Sequence, residues 1–234
     1  MCGRYYRVSD KQRIAEAFHL GRLPEEFEAP PDYNVAPSTF QPVVRAERET
    51  GERELVMMRW GMVPYFAKSL AEFKGLGTIN AKAETLTSRA IWRAPFERRR
   101  CLVPADGFYE WKRLDAKTRQ PYGFTMKSGG MLAFAGLWDA WKEPAGGGWL
   151  QSFSIITTDP NELTARVHNR MPVILRRADY DRWLSREIGE RPPSDLLRPF
   201  DAEQMAAFPV DPRVGSVRNN EPGLCAPWDG PISA

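Results

Sequence analysis

The sequence predicts an α+β fold: a mixed, mostly antiparallel sheet that curls toward a barrel and carries helices on its flanks. Short strand-like segments outnumber helical ones, and they do not alternate with helices as a doubly wound parallel sheet requires. The 234 residues can bury a full hydrophobic core, and no linker or internal repeat divides them. We therefore predict that residues 1–234 form a single domain, with the Pro-rich C-terminal stretch packed on it.

The predicted elements begin with a helix, a loop and a series of strands. Asp10 precedes Lys11–Phe18, where apolar residues recur at helical spacing, so a short capped helix is expected. The prolines from Pro24 to Pro37 predict a loop, because proline is excluded from helix interiors and central strands. Seven strands, bounded by Gly, Pro and Asp, are predicted at Pro42–Ala46, Glu54–Trp60, Arg100–Pro104, Gly107–Lys112, Tyr122–Lys127, Met131–Trp141 and Leu150–Thr157.

Three more helices and one strand complete the prediction. Ala83–Arg93 is predicted as a helix between two strands. The segment Asp159–His168 opens with Asp, Pro and Glu at the positions typical of a helix start, which places the histidine at the helix end. Ala178–Glu187 predicts a further helix, and a last strand is expected near Val214–Val217.

The composition describes an ordinary globular protein and excludes several functional classes. The formal charge of +3 does not by itself indicate a nucleic-acid partner, although 33 basic residues leave room for a basic face. Three widely spaced cysteines argue against a disulfide framework and a cysteine-based zinc site. The motifs of nucleotide and metal sites are missing, so no cofactor and no metal are predicted. No apolar run is long enough to span a membrane, and we expect a cytoplasmic monomer.

Cys2 directly follows the initiator Met1. If Met1 is removed, Cys2 carries a free α-amine and a thiol, which titrate near pH ~7.7–8.0 and ~8.5 and are both partly nucleophilic at physiological pH. Such a pair can close on an aldehyde to form a five-membered ring, or attack an acyl group as an N-terminal nucleophile. The alternative interpretation is an ordinary terminal residue with Met1 retained.

Glu110 stands among three aromatic residues in the run Phe108-Tyr109-Glu110-Trp111. In a strand, Phe108 and Glu110 point to the same face. Partial desolvation there would raise the pKa of the carboxyl group and suit it to general acid–base catalysis. The alternative is a solvated carboxylate on an exposed face.

His168 and Asn34 are further candidates. His168 lies between two arginines at a predicted helix end, where a pKa near neutrality would suit proton transfer; a capping role is the alternative. Asn34 can orient a substrate oxygen or merely satisfy a turn. Basic and aromatic residues are interleaved at Arg4–Arg7 and Arg59–Trp60, and residues 98–100 are all arginine. This pattern is typical of single-stranded nucleic-acid binding, but solvated charges beside core aromatics produce it too.

Six motifs in the same order along the chain resemble the SOS response-associated peptidase (SRAP) family. They are residues 1–4 (MCGR), 33–38 (YNVAPS), 59–64 (RWGMVP), 80–85 (NAKAET), 99–111 (RRCLVPADGFYEW) and 168–172 (HNRMP). The resemblance implies a barrel-like β core and a specific activity. Members of this family bind single-stranded DNA and covalently trap abasic sites, and junctions with double-stranded DNA are a further candidate location.

The resemblance also implies roles for particular residues. Cys2 matches the processed N-terminal cysteine, which would form a Schiff base and then a thiazolidine with the ring-opened sugar. Glu110 and His168 match the catalytic glutamate and histidine, and Asn34 matches the asparagine that positions the sugar or the N-terminus. Contacts with DNA are implied for Arg4, Pro37, Trp60, Asn80 and Lys82. At Lys82 the family usually has Arg, so the charge is kept but the bidentate phosphate fork is lost.

Two other functions remain open from the residues. The first is a thiol peptidase with Cys2 as its N-terminal nucleophile, including cleavage of its own N-terminal extension. The second is a non-enzymatic module that binds single-stranded DNA or a modified base. The first predicts peptide turnover that depends on Cys2, and the second predicts binding that survives loss of Cys2 and Glu110.

Overall fold

Strands dominate the computed structural model, which describes residues 2–23, 26–70, 76–144, 146–186 and 191–231. The strands are β1 (Tyr5–Arg7), β2 (Asp32–Val35), β3 (Phe40–Ala46), β4 (Arg53–Trp60), β5 (Asn80–Lys82), β6 (Arg100–Ala105), β7 (Gly107–Arg113), β8 (Arg119–Met126), β9 (Leu132–Lys142), β10 (Trp149–Thr158), β11 (Met171–Pro172) and β12 (Met205–Pro209). The α-helices within these ranges are α1 (Lys11–Phe18), α2 (Ala90–Arg98) and α3 (Tyr180–Leu184).

The strands form two sheets. One has the order β12-β8-β7-β1-β2, and its pairs are antiparallel. The other has the order β11-β10-β4-β3-β6-β9, and an additional pairing of β9 with β10 closes β10, β4, β3, β6 and β9 into a ring. β10 runs parallel to β4 and β5, whereas the other pairs of this sheet are antiparallel. The predicted mixed, mostly antiparallel, barrel-like core is therefore confirmed.

The buried side chains lie in layers. One cluster packs the three helices against the seven-stranded sheet and includes Phe18, Trp92 and Trp183. A second cluster joins the two sheets and includes Phe108, Phe134 and Cys2. Because an apolar layer separates the sheets, any polar group placed there is desolvated.

The first helix forms as predicted. The Asp10 side chain accepts a hydrogen bond from the backbone N–H of Arg13 at 2.9 Å, and Ile14 and Phe18 are buried on the inner face. His19 ends the helix in the left-handed conformation, with a φ of 53°. His19 thus occupies the C-cap position of this helix, and its side chain is exposed.

The Pro-rich loop prediction is wrong for four residues. Asp32–Val35 form β2, which pairs with β1 at the edge of the five-stranded sheet. Pro31 and Pro37 flank this short strand rather than interrupting it, so no ladder hydrogen bond is lost. Pro24 lies outside the described residues.

Three of the predicted helices differ from the structure. Residues 83–85 form a single 3-10 turn, and α2 begins only at Ala90 and continues through Pro95 to Arg98. Only Thr164–Arg166 are helical in the segment Asp159–His168, because the chain must return for Met171–Pro172 to pair with β10. The predicted helix Ala178–Glu187 is reduced to α3 after a 3-10 turn, and Glu187 lies outside the described residues.

The last strand was also misplaced. Residues 212–215 form a 3-10 turn that Asp211 caps through its side chain, so the strand expected near Val214–Val217 is wrong. The last strand is β12, which pairs with β8. Among the described residues, no helix is long and apolar enough to cross a membrane.

Candidate active site around Cys2

Strand pairing brings Cys2 beside Glu110. β1 and β7 are antiparallel with Tyr5 opposite Phe108, and the backbone N–H of Tyr109 donates to the Arg4 carbonyl at 3.0 Å. Continuing this register toward the N-terminus places Gly3 opposite Glu110. Residues almost 110 positions apart in sequence are therefore neighbours at the edge of the buried layer between the sheets.

Cys2 is fixed by its backbone as well as by its side chain. The Asn80 side-chain amide donates to the Cys2 carbonyl at 2.9 Å, and the Cys2 side chain exposes 0% of its surface. Asn80 lies in β5, which pairs with the middle of β10 through Ile155. Asn80 Oδ1 is buried and has no hydrogen-bond partner among the described residues. Asn80, predicted to contact DNA, thus also holds the N-terminal segment in place.

The Cys2 thiol is a neutral group in this position. Burial raises its pKa far above the usual value, and the negative charge of Glu110 raises it further. Its Sγ lies 3.9 Å from the Arg4 carbonyl oxygen. A nucleophilic step by this thiol therefore needs a base to take its proton, or a target electrophilic enough to react with the thiol.

Glu110 is 3% exposed and faces the layer between the sheets together with Phe108. Burial raises the pKa of its carboxyl group to about 7. The alternative of a solvated carboxylate on an exposed face is therefore wrong. A carboxyl group that titrates near neutral pH can both donate and accept a proton, as a general acid–base catalyst must.

His168 lies against Glu110. Its Nδ1 is 3.9 Å from Glu110 Oε1 and accepts a hydrogen bond from the backbone N–H of Arg170 at 3.1 Å. When Nδ1 accepts this bond the neutral ring carries its proton on Nε2, and a protonated Nδ1 can instead donate to the Arg170 carbonyl oxygen, 3.3 Å away. Burial lowers the pKa of His168, so the ring is neutral at physiological pH. The pair can exchange a proton after a small movement of either side chain.

A network of charges around Arg170 supports His168. The Arg170 guanidinium binds both carboxylate oxygens of Glu84 at 2.9 Å, Asp159 at 3.2 Å and the Thr157 carbonyl at 2.7 Å. In the sequence, Arg170 is only one of two arginines that flank His168. Its acidic partners come from other elements, so the pattern around His168 gave no sign of them.

Thr157 is a buried polar residue that the sequence did not single out, and its carbonyl accepts a hydrogen bond from Arg170 beside His168. It is fully buried near the end of β10, opposite Lys82 in β5 and Pro172 in β11. Its Oγ1 is buried without a hydrogen-bond partner in the described ranges. Buried hydroxyl groups nearly always have partners, so an unsatisfied one marks a place for a ligand group or water. The only available signal was a threonine at the end of an apolar strand.

Asn34 occupies a different place from the one predicted. Its Nδ2 donates to the carbonyls of Val214, Ser216 and Asn219 at 3.2, 2.9 and 2.9 Å, and its Oδ1 accepts from Arg4 at 2.9 Å. The two N–H groups of the amide are thus shared among three carbonyls, and its oxygen is bound by Arg4. Asn34 therefore binds the C-terminal segment to β2 and does not face Cys2, which corrects its predicted role as a catalytic residue.

Arg4 binds the same C-terminal segment as Asn34. Besides Asn34, its guanidinium donates to the carbonyls of Val214 at 3.2 Å and Gly215 at 3.5 Å. The side chain is half-buried, and its N–H groups point largely at protein oxygens. The prediction that Arg4 contacts DNA stays a prediction for its remaining exposed surface.

Of the other residues predicted to contact DNA, Trp60 is buried in the core, whereas Pro37 and Lys82 reach the surface. Trp60 exposes 0% of its surface, donates from Nε1 to the Ile79 carbonyl at 2.9 Å and packs on Tyr5 with ring centroids 5.2 Å apart. Trp60 is therefore a core residue, which corrects its predicted place in the DNA groove. Pro37 is half-buried, and Lys82 is exposed. Lys82 follows Asn80 by two residues in β5, so both side chains lie on the same face.

Comparisons with known proteins agree with this geometry. A family model described as SOS response associated peptidase (SRAP) matches residues 1–217. The abasic site processing protein YoqW of Bacillus subtilis (strain 168) is 42% identical over 225 residues, which cover 96% of this chain and 98% of that protein. The abasic site processing protein HMCES of Gallus gallus is 34% identical, over 84% of this chain and 66% of that protein.

Solved structures show the same fold. A crystal structure of a protein from Bacteroides thetaiotaomicron superimposes with a TM-score of 0.82 at 25% identity, covering 97% of this chain and 100% of that one. A phage-related protein from Bordetella bronchiseptica gives a TM-score of 0.71 at 28% identity, over 89% and 94% of the two chains. The match of the family model over most of the chain shows that this protein belongs to the SOS response-associated peptidase family.

Proposed function

We propose that this protein binds single-stranded DNA and covalently traps abasic sites through Cys2. One observation carries the proposal: a cysteine at the second position is held between the sheets beside a carboxyl group with a pKa of about 7, which in turn lies 3.9 Å from a neutral histidine. The relatives named as abasic site processing proteins support it. Removal of Met1 frees the α-amine on which the chemistry depends.

The first step forms an imine. The unprotonated α-amine of Cys2 attacks the C1′ aldehyde of the ring-opened deoxyribose, and a proton moves from nitrogen to oxygen to give a carbinolamine. Glu110, in its protonated form, donates to the hydroxyl group, which leaves as water, and the C1′–N double bond forms. Glu110 is then a carboxylate beside a cationic imine.

The second step closes a ring. The Glu110 carboxylate takes the proton of the Cys2 thiol as Sγ adds to C1′, and the electron pair of the double bond returns to nitrogen. The product is a thiazolidine that contains Cys2 N, Cα, Cβ and Sγ with C1′ of the sugar. Overall, one water is released and nothing is oxidised or reduced. The reactive imine carbon explains why a thiol of raised pKa suffices.

His168 acts on the sugar oxygens in this scheme. Its neutral ring donates from Nε2 and exchanges protons with Glu110 through Nδ1. His168 gives its Nε2 proton to the ring oxygen while its Nδ1 receives a proton from Glu110. The Glu110 carboxylate then takes the proton of the C1′ hydroxyl group as the C1′–O4′ bond breaks and the aldehyde forms. By the principle of microscopic reversibility, the reverse transfers close the sugar ring once the adduct has been hydrolysed, which assists release.

Burial of the reacting side chains favours a sugar that has lost its nucleobase over an intact nucleotide. Cys2 and Glu110 expose 0% and 3% of their surfaces, so a reacting group must enter among buried side chains. A nucleotide that has lost its base presents less volume and an aldehyde carbon that intact nucleotides lack. The free hydrogen-bonding atoms of Asn80 and Thr157 offer partners for the sugar or its phosphates.

The same geometry disfavours a peptidase. Attack on an amide requires a thiolate, and burial opposes ionisation of the Cys2 thiol. An aldehyde, in contrast, is activated by the amine before the sulfur reacts. The Cys2-dependent peptidase therefore remains only as the alternative that the same variants can test.

The test is incubation of the processed protein with single-stranded DNA that carries one abasic site. We expect an adduct that survives heat and denaturant on a gel and that is lost in Cys2→Ala. Undamaged DNA of the same sequence is the control for non-covalent binding. Absence of an adduct from the processed wild-type chain would rule out the proposed reaction, and equal adduct from Cys2→Ala would rule out Cys2 as the nucleophile.

A further inference from the structure

The segment from Asn80 to Glu84 is bonded to both sides of the candidate active site. Asn80, at the start of β5, donates to the Cys2 carbonyl at 2.9 Å. Glu84, in the 3-10 turn that follows β5, binds the Arg170 guanidinium. Arg170 in turn donates from its backbone N–H to His168 Nδ1 at 3.1 Å. One short segment therefore holds the proposed nucleophile directly and the histidine through one arginine.

The contact between Glu84 and Arg170 is a bidentate ion pair. Nη1 and Nη2 of Arg170 donate to Oε1 and Oε2 of Glu84, each at 2.9 Å. Two parallel hydrogen bonds fix the orientation of a guanidinium as well as its distance, which a single contact does not. The Arg170 side chain exposes only 13% of its surface, against 54% for Glu84. Glu84 thus holds a largely buried arginine in one orientation.

The loop that carries His168 depends on this arginine for its attachment to β10. The loop leads into β11, which has two residues, and one of them, Pro172, has no backbone N–H to donate. The Arg170 side chain adds a bond to the same neighbouring strand, from Nη2 to the Thr157 carbonyl at 2.7 Å. Because Arg170 also bonds to the imidazole, a change in its position would move the His168 ring.

The charge near His168 also depends on Glu84. The Arg170 cation disfavours a positive charge on the imidazole, whereas ionised Glu110, 3.9 Å from Nδ1, favours it. Glu84 and Asp159, at 2.9 and 3.2 Å from the guanidinium, offset the Arg170 charge. If the Glu84 charge is removed, Asp159 offsets the cation from a longer distance, and protonation of the imidazole becomes harder.

We propose that Glu84 is a positioning residue for His168: by fixing the Arg170 guanidinium, it holds the imidazole in the orientation that transfers a proton to the sugar. The inference rests on the proposed function for the step that is affected, but the placement of His168 is a property of the free protein. Loss of Glu84 should therefore slow opening of the sugar ring and leave the reaction of Cys2 with an open-chain aldehyde intact.

The test compares Glu84→Gln with a matched control. The glutamine keeps the size of the side chain but loses its charge and one acceptor oxygen. The control is Asp195→Asn, because Asp195 is 60% exposed and binds the Arg182 guanidinium through both oxygens, at 2.6 and 2.7 Å. This pair joins α3 to the 3-10 turn Ser194–Leu196. Exposed ion pairs contribute little to stability, so both variants should unfold at the same urea concentration as the wild type.

The first measurement is a pH titration of the histidine ring protons by NMR, which needs neither DNA nor a reaction. The chain has two histidines, so the exposed His19 serves as an internal reference. We expect Glu84→Gln to lower the titration midpoint of His168 by about 0.2–0.5 pH unit, the effect of one charge across a partly solvated site. Asp195→Asn should keep the wild-type midpoint. An unchanged His168 midpoint in Glu84→Gln would overturn the proposal.

The second measurement compares two aldehydes at saturating concentrations. With abasic single-stranded DNA, whose sugar must open before it reacts, we expect Glu84→Gln to form the adduct about 3–30-fold more slowly than the wild type, part of the 10²–10⁴-fold contribution of a well-placed acid–base group. With propionaldehyde, which has no ring to open, the variant should match the wild type. Asp195→Asn should match the wild type with both aldehydes.

Two kinetic results would contradict the positioning role. An unchanged rate on abasic DNA would show that His168 does not need Glu84. An equal loss with both aldehydes would show that Glu84 acts on the fold or on Cys2 instead. If the wild type itself formed no adduct with abasic DNA, the proposed function would fail, whereas the NMR titration would still decide whether Glu84 controls the surroundings of His168.

Discussion

At the scale of single residues, burial favours the neutral form of each reactive side chain. It raises the pKa of the Cys2 thiol and of the Glu110 carboxyl group, and it lowers the pKa of His168. When a neutral aldehyde enters a site of neutral groups, no charged group has to give up its water, so binding carries no cost for desolvating a charge. Protons can then move between Glu110, His168 and the substrate without leaving an isolated buried ion.

Glu110→Gln tests the proton-transfer role. We expect adduct formation to slow by about 10²–10⁴-fold, the usual contribution of a general acid–base group. Binding to undamaged DNA should stay within about twofold, because Glu110 is buried and the substitution keeps its size. Rates come from quenched time courses on denaturing gels, and affinities from fluorescence anisotropy. Equal losses in rate and affinity would make Glu110 a structural residue.

The pH dependence of the same reaction follows from the raised pKa. Glu110 is protonated below about pH 7 and loses its proton above it, so the acid needed for water loss disappears as pH rises through 7. We therefore expect a bell-shaped pH profile for the wild-type rate: it rises as the α-amine, with a pKa of ~7.7–8.0, loses its proton, and it has a falling limb at higher pH where Glu110 is ionised. Glutamine has no proton to lose, so Glu110→Gln should lack that limb. A limb that persists in the variant would belong to another group.

Sequence patterns pointed more clearly to the residues that we propose to react than to the residues that hold them in place. Glu110 was predictable because its aromatic neighbours within one strand already indicate desolvation. Asn34 and Trp60 were assigned to function, but their partners, such as the Val214 and Ile79 carbonyls, lie in other elements. Hydrogen bonds to distant backbone atoms leave no local signal.

At the scale of elements, the pairing of β1 with β7 sets the distance between Cys2 and Glu110. Gly107 begins β7 opposite Tyr6, and a Cβ atom there would lie 2.3 Å from the Tyr6 ring. Tyr6 is held against Tyr109, with ring centroids 5.2 Å apart. Only glycine allows the two strands to approach this closely.

Gly107→Ala tests this element. We expect a loss of about 1–3 kcal/mol in the free energy of unfolding, because the added methyl group overpacks a buried contact. Adduct formation should fall with it, since β1 carries Cys2. Gly21→Ala is the matched control: its Cβ would meet nothing within 4 Å, and a change below about 0.5 kcal/mol is expected. Urea unfolding measures the free energy of unfolding of both variants and of the wild type. If Gly107→Ala were as stable as the wild type, the packing argument would be contradicted.

The strands were more predictable than the helices. All seven predicted strands are present, because Gly, Pro and Asp mark their ends and alternation or apolar runs mark their interiors. β1, β5 and β11 have two or three residues and carry too little pattern to detect. The segment after Asp159 has a correct start signal, but pairing of β11 with β10 ends the helix after one turn.

At the scale of the whole molecule, both sheets contribute to one site. Cys2 and Glu110 belong to the five-stranded sheet and its extension, whereas Asn80 and Thr157 belong to the other. The buried layer between them holds Cys2, so we expect the two sheets to unfold together as one domain.

The central claim is that the amine and the thiol of Cys2 both bond to one sugar carbon. Intact mass spectrometry of the adduct, followed by peptide mapping, tests it most directly. We predict the mass of the chain without Met1 plus the abasic DNA, minus one water, with the modification on Cys2 and resistance to borohydride reduction. An adduct on a lysine, on a chain that retains Met1, or in a form that borohydride reduces would contradict the account.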